Sequence, residues 1–195
     1  MKIKYITLAI LAMFGFSGCN EEYAKVPFSV PVDFSNKGTV YETNFQAPWN
    51  IWGSWVKFAL VARYERDIEL TDEQRSIFYA IGSGKRDNIP IPKEENKYFK
   101  FKVTLTPLGW ASNNVIILTG HYYDSKVIRH EFKDGEKIEF VVSVPLYGWG
   151  TAKNIMAADL QRLRNYHIRV ESLEDIELPK DLILEFGINR NSTKR

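Results

Sequence analysis

The sequence predicts an all-β protein, an antiparallel β-sandwich of immunoglobulin-like or similar type with one short helical excursion. Three observations predict it. Alternation of apolar and polar residues with period two dominates from Val26 onward, as half-buried strands require. Turn-forming clusters separate the alternating runs, at "SNKG" (35–38), "KDGE" (133–136) and "LPKD" (178–181). The residues that follow the first 25 are enough for one domain with a real hydrophobic core.

Taken in order, the chain opens with a leader rather than a strand. Lys2 and Lys4 give a positive start, "YITLAILAMFGF" is apolar, and Ser17 and Gly18 are small residues before a cleavage point. The apolar stretch is shorter than the roughly 20 residues a spanning helix needs, which favours a signal peptide over residues 1–18. Cys19, the one cysteine of the chain, follows directly. Ser-Gly-Cys after an apolar run resembles the lipobox of bacterial lipoproteins, with Phe16 where Leu is more usual. That resemblance implies that Cys19 takes a diacylglyceryl group on its thiolate and becomes the mature amino terminus. Each buried acyl methylene contributes about 0.8 kcal/mol, so two or more chains hold a protein stably at a bilayer. Asn20, where Asp would signal inner-membrane retention, points to the outer membrane, with the domain facing the periplasm. Residues 19–25 then read as an acylated polar tether, and 26–195 as the sandwich.

Five later runs alternate cleanly. Val56, Phe58, Leu60, Ala62 and Tyr64 share one face, as do Phe99, Phe101, Val103 and Leu105. Ile138, Phe140, Val142 and Val144 form a third such row. Tyr166, Ile168 and Val170 oppose His167, Arg169 and Glu171, and Leu182, Leu184, Phe186 and Ile188 close the chain. "TDEQRSIFYAIG" differs: Thr71 and Gln74 have capping-box spacing and Gly82 is a stop signal, so a helix stands between two strands. "AKNIMAADLQRL" fits both a helix and an irregular strand, and periodicity alone does not decide over 152–163. "VTLTPLGWASNN" and "VSVPLYGWGTAKN" echo each other, but two copies do not make a repeat array.

Charge and motifs exclude several function classes. The chain carries 26 Lys and Arg against 24 Asp and Glu; without Lys2 and Lys4 it balances to zero. A neutral mature chain lacks a global field for nucleic acid or anionic lipid, so nucleic acid is not expected as a partner and contact with the membrane is expected through the anchor. With Cys19 acylated, no thiol remains for a disulfide, a metal or a nucleophile. His121, His130 and His167 show no metal-ligand spacing, so no metal or other cofactor is expected. "GSGKR" (82–86) lacks the first glycine and the final Ser or Thr of a phosphate loop and reads as a helix C-cap. "ESLEDIE" (171–177) lacks the alternating ligands of a calcium loop, and no GxSxG elbow follows the leader. No coherent acid, base and nucleophile set appears, so an enzyme is not expected.

Aromatic residues remain as the functional signal. Trp49, Trp52 and Trp55 crowd into "PWNIWGSW", and Trp110 and Trp149 each follow a glycine. Rigid rings in loops supply contact area at small entropic cost or stack on sugars. Trp110, Trp149, Tyr147 and Trp52 are therefore the candidate binding residues, weighed against a role in closing the ends of the core.

Two segments, "VPFSVPVDFSNKGTVYETNF" (26–45) and "YHIRVESLEDIELPKDLILEFGI" (166–188), are similar to a bacterial lipoprotein family known only as a domain of unknown function. Pro31, Val32, Asp33, Ser35 and Gly38 match its Pro-Val-Asp-x-Ser-x-x-Gly opening. Tyr166, Val170, Glu171, Ser172 and Leu173 match its late Tyr-x-x-x-Val-Glu-Ser-Leu segment, preceded here by "RLRN" where a Pro-Gly turn is usual. The resemblance implies an all-β lipoprotein without known catalytic residues, a structural role for both motifs, and a final hairpin. Such families often stand beside secreted antibacterial lipases, which implies an immunity protein that occludes its effector. The alternative is an envelope-glycan-binding or envelope-assembly accessory lipoprotein that uses Trp110 and Trp149 as stacking platforms.

Overall fold

The computed structural model describes residues 23–49, 55–65, 69–83, 98–109, 115–119, 128–132, 137–146 and 152–190. They form two facing sheets. In the first, β1 (Ala24–Lys25), β3 (Val40–Gln46), β10 (Asn165–Ser172), β5 (Tyr98–Leu108) and β8 (Ile138–Pro145) lie side by side. In the second the order is β2 (Phe28–Pro31), β11 (Ile183–Arg190), β4 (Val56–Arg63), β9 (Ala152–Asp159), β6 (Val115–Thr119) and β7 (Ile128–Phe132). Every pair is antiparallel except β1 with β3. The helix α1 (Asp72–Ser83) stands between β4 and β5.

The pairings are nested. β6 pairs β7, β5 pairs β8, β4 pairs β9, β3 pairs β10 and β2 pairs β11. A long two-stranded ribbon, tipped at β6–β7, has been wrapped so that successive pairs fall in alternate sheets. That is the order of a jelly roll rather than of an immunoglobulin domain, within the expected sandwich class. The expected final hairpin is absent for the same reason: β10 and β11 belong to opposite sheets and do not pair.

Alternation dictates which faces meet. Phe99, Phe101, Val103 and Leu105 of β5 and Tyr166, Ile168 and Val170 of β10 are fully buried and meet Val56, Phe58, Leu60, Phe186 and Ile188 of the other sheet. Rings join the layers: Phe45 to Phe58 with centroids 5.6 Å apart, and Tyr41 to Phe186 at 5.0 Å. Burying a large apolar side chain contributes roughly 1.5–3 kcal/mol, so these rows hold the sheets together without a disulfide.

The ambiguous segment is strand β9, and a bulge explains the ambiguity. Phe58 faces Met156 while its neighbour Ala59 faces Asn154, which leaves Ile155 as the extra residue. The buried set therefore runs Lys153 and Ile155, then shifts phase to Met156 and Ala158. A two-residue period broken in mid-strand imitates a helical one. At the amino terminus, Ala24 and Lys25 pair with Phe45 and Gln46, so the sheet takes in the last two residues read as tether. The leader, Cys19 and the "KDGE" turn lie outside the described residues.

The helix follows its sequence signals. Thr71 N–H donates to Gln74 Oε1 at 3.0 Å and Gln74 N–H to Thr71 Oγ1 at 3.2 Å, the reciprocal bonds of a capping box. Gly82 stands in the last turn, one residue before the end. Ile81 is fully buried, whereas Tyr79 is exposed.

Candidate functional site

Strand direction sorts every connection to one of two ends. Gln46, Leu108 and Asn165 lie beside one another, as do Val56, Ala158 and Arg190, and Ile116 pairs Asp159. β3, β5, β7 and β9 therefore finish, and β4, β6, β8 and β10 begin, at one end, where Ala24 also joins the sheet. We call it the Ala24 end. β2, β4, β6, β8 and β10 finish, and β3, β5, β7, β9 and β11 begin, at the other, which also holds α1 and is called the helix end.

This sorting divides the candidate aromatics. The connection carrying Trp52 and the one carrying Trp110 leave from the Ala24 end, while the one carrying Tyr147 and Trp149 leaves from the helix end. The strands that precede Trp110 and Trp149 in sequence, β5 and β8, pair antiparallel and finish at opposite ends of their sheet. Trp52, Trp110, Tyr147 and Trp149 themselves lie outside the described residues, as do Cys19 and His121. Of the remaining tryptophans, Trp49 is 67% exposed and Trp55 is half-buried.

Two neighbouring concavities lie at the helix end among the described residues. A groove of about 640 Å³ runs between the first half of α1 and Glu177–Asp181. A smaller hollow of about 280 Å³ lies beside it, against Tyr64, Leu70 and Leu182. Gln74 and Asp181 line both, and Gln74 Nε2 donates to Asp181 Oδ2 at 3.2 Å. Asp181 holds φ at 62°, a left-handed conformation that Asp tolerates better than most residues.

Sequence reasoning missed Lys153, which ties the start of β9 to the helix. It is 4% exposed, and its Nζ donates to the Ile81 carbonyl at 2.7 Å. Burial lowers its pKa to about 8, because the charged amine has lost water. A strand reading of 152–159 would have placed Lys153 on the inner face with Ile155; the bulge concealed it.

The two motifs behind the family resemblance meet in space at this end. Gly38 N–H donates to the Ser172 carbonyl at 2.7 Å, and Ser172 N–H returns to Thr39 at 2.9 Å. Asp175 Oδ1 accepts the Lys37 N–H at 2.7 Å, and Ile176 N–H donates to the Ser35 carbonyl at 2.7 Å. Ser172 Oγ, buried, donates to the Phe34 carbonyl. Asp33 accepts from both the Ser35 amide and hydroxyl, which holds its carboxyl below the usual range. Gly38 turns the loop at φ 82°. The acidic "ESLEDIE" segment is thus a docking loop: Glu174 pairs with Lys100 at 3.0 Å and Asp175 anchors Lys37.

At the Ala24 end, Tyr166 organises the β9–β10 turn. Its ring is fully buried and stacks on Phe45, and its hydroxyl accepts the Gln161 N–H at 3.0 Å. The turn also pairs with the β3 exit, Leu163 N–H to Ala47 and Ala47 N–H to Arg164, both 2.9 Å. Leu163 takes φ 57° in the "RLRN" segment and is 57% exposed.

His167 is half-buried on the outer face, its Nδ1 2.9 Å from Asn44 Oδ1, within a ladder that includes Glu42, Arg169 and Glu171. Among the described residues, no group of three or more His, Cys, Asp or Glu could hold a metal ion, and no helix is long and apolar enough to cross a membrane.

Neither a family model nor a curated protein matches this chain. A solved structure does. The crystal structure of GEBA250068378 from Sulfurospirillum deleyianum superposes with a TM-score of 0.52 at 15% identity, over 87% of this chain and 99% of that one. At that identity the likeness shows a shared fold.

Proposed function

We propose that this chain is a lipoprotein anchored through Cys19, facing the periplasm from the outer membrane, that works as a non-catalytic binding module. We take its partner to be a secreted antibacterial effector of lipase type, which it occludes as an immunity protein. The observation that carries the reading is the separation of the two ends: the chain joins the sheet at one end, and the groove beside α1 lies at the other. A tether attached behind the sandwich leaves the grooved end, from which the Tyr147–Trp149 connection also departs, free to meet a partner in front of it. Anchoring at the surface such an enzyme attacks would raise the effective concentration of the complex.

The experiment that tests this reading asks whether a secreted lipase gene flanks this one and whether the purified chain inhibits its product. Stoichiometric loss of lipase activity with the purified chain, without turnover of any product, is the expected result. Failure to inhibit, together with binding to purified peptidoglycan or saccharides that Trp149→Ala abolishes, would favour the envelope-glycan alternative.

A further inference from the structure

We propose that the Ala24 end of the sandwich is itself a membrane-contact surface, with Trp49 and Leu163 seated in the interface and Arg162 and Arg164 among anionic phospholipid headgroups. This rests on the anchoring at Cys19 set out above and goes beyond it, since anchoring alone leaves the domain free to tumble.

Leu163 breaks two local rules at once. A left-handed backbone is costly for a residue with a branched side chain, and Gly or Asn normally occupies such a turn. Leu163 also presents an apolar side chain to the exterior, 57% exposed. Strain and exposure combined at one position point to function more than to folding. Backbone bonds to Ala47 place this turn against the segment that leads, two residues later, to the exposed Trp49. Trp is enriched where one side of a ring is apolar and the other wet, as at a headgroup layer.

Charge and chain length give the patch its occupant. Among the described residues, Lys25, Lys57, Arg162, Arg164 and Arg190 stand at this end against the carboxylates Asp159 and Glu131, with Lys137 paired to Glu139. Among the described residues at the helix end, Asp33, Glu65, Glu69, Asp72, Glu73, Glu174, Asp175, Glu177 and Asp181 outnumber Lys37, Arg75, Lys100, Lys153 and Lys180. The neutral total of the mature chain thus conceals a basic end and an acidic one, and an anionic surface attracts the first and repels the second. From Cys19 to Ala24 an extended chain spans at most about 18 Å. An acylated Cys19 therefore holds the basic, Trp-bearing end within reach of the bilayer.

The test uses the full chain, acylated in its bacterium and reconstituted into vesicles of phosphatidylethanolamine and phosphatidylglycerol. With Cys19 acylated, L163C or K180C supplies one reactive thiol for a fluorophore. Brominated lipids should quench the label at 163 several-fold more than the label at 180. Equal quenching, or stronger quenching at 180, would overturn the proposal. Disulfide-linked dimers of L163C without lipid quenching would assign the patch to a second copy of the chain and overturn it as well. Trp49→Cys gives the same reading should L163C fail to fold. Partition of each sample into the detergent phase reports the anchor separately: anchored chains without quenching at 163 or 49 sink this inference alone, and chains left in the aqueous phase with a free Cys19 sink the anchoring too.

Discussion

The two ends of this sandwich are built from the same strands and differ in nearly everything else. At the Ala24 end the β9–β10 turn is tied to the β3 exit by backbone bonds, through Ala47, Leu163 and Arg164, over the hydroxyl of Tyr166. At the helix end backbone bonds join 35–39 to 172–176, while α1 is tied in through side chains, Gln74 to Asp181 and Lys153 to the Ile81 carbonyl. Among the described residues the first end is basic and apolar at its tip; the second is acidic and grooved. Nested strand pairing produces this division, because each crossing between sheets must occur at one end or the other. A neutral composition can therefore carry two unlike surfaces.

The largest effect should come from the core that both ends share. Phe45 lies between Phe58 and Tyr166, and Phe45→Ala should cost about 3–5 kcal/mol. Urea unfolding should remain one transition with an unchanged slope; two transitions would mean that the ends fold separately.

Next is a pH response that belongs to the helix end. Lys153 has a folded pKa of about 8, below its ordinary value of 10.5. Between those values the unfolded chain binds more protons than the folded one, so stability should rise as pH climbs from about 8 toward 10, by up to about 2 kcal/mol. Above about 10 the sign reverses, because burial raises the pKa of Tyr41 and Tyr166 and only the unfolded chain readily loses those protons. Melting temperature against pH reads both limbs, and Lys153→Met should remove the rising limb while sparing the falling one.

Smaller again is the helix cap. Thr71→Ala should cost about 1 kcal/mol. Hydrogen exchange should locate the loss in α1 and its contact with Asp181 while the amides of β10 keep their protection. At the Ala24 end, Leu163→Gly should change stability by less than about 1 kcal/mol, since relief of left-handed strain is offset by the added freedom of the unfolded chain. A large loss in that variant would make Leu163 a folding residue and remove its claim to a surface role.

Much of the fold was legible and much of the site was not, for a common reason. Alternation reports which face a side chain takes, so the buried rows of β5, β10 and β11 could be read directly. It does not report partners. The nested pairing, and with it the end to which each aromatic connection belongs, depends on contacts far apart in the chain. The bulge at Ile155 made β9 unreadable by breaking the one signal available. Capping residues act locally, and Thr71 with Gln74 marked the start of α1 correctly. The left-handed Leu163 left no trace beyond a missing glycine in "RLRN", and summing charges erased the contrast between the ends.

The most direct measurement of the account is hydrogen exchange of the acylated chain on anionic vesicles compared with the same chain in detergent. Amides of 160–164 and 47–49 should exchange more slowly on the vesicles, and those of 176–181 should exchange at the same rate in both. Slowing at 176–181, or no difference anywhere, would contradict the assignment of the Ala24 end to the lipid surface and of the helix end to a partner.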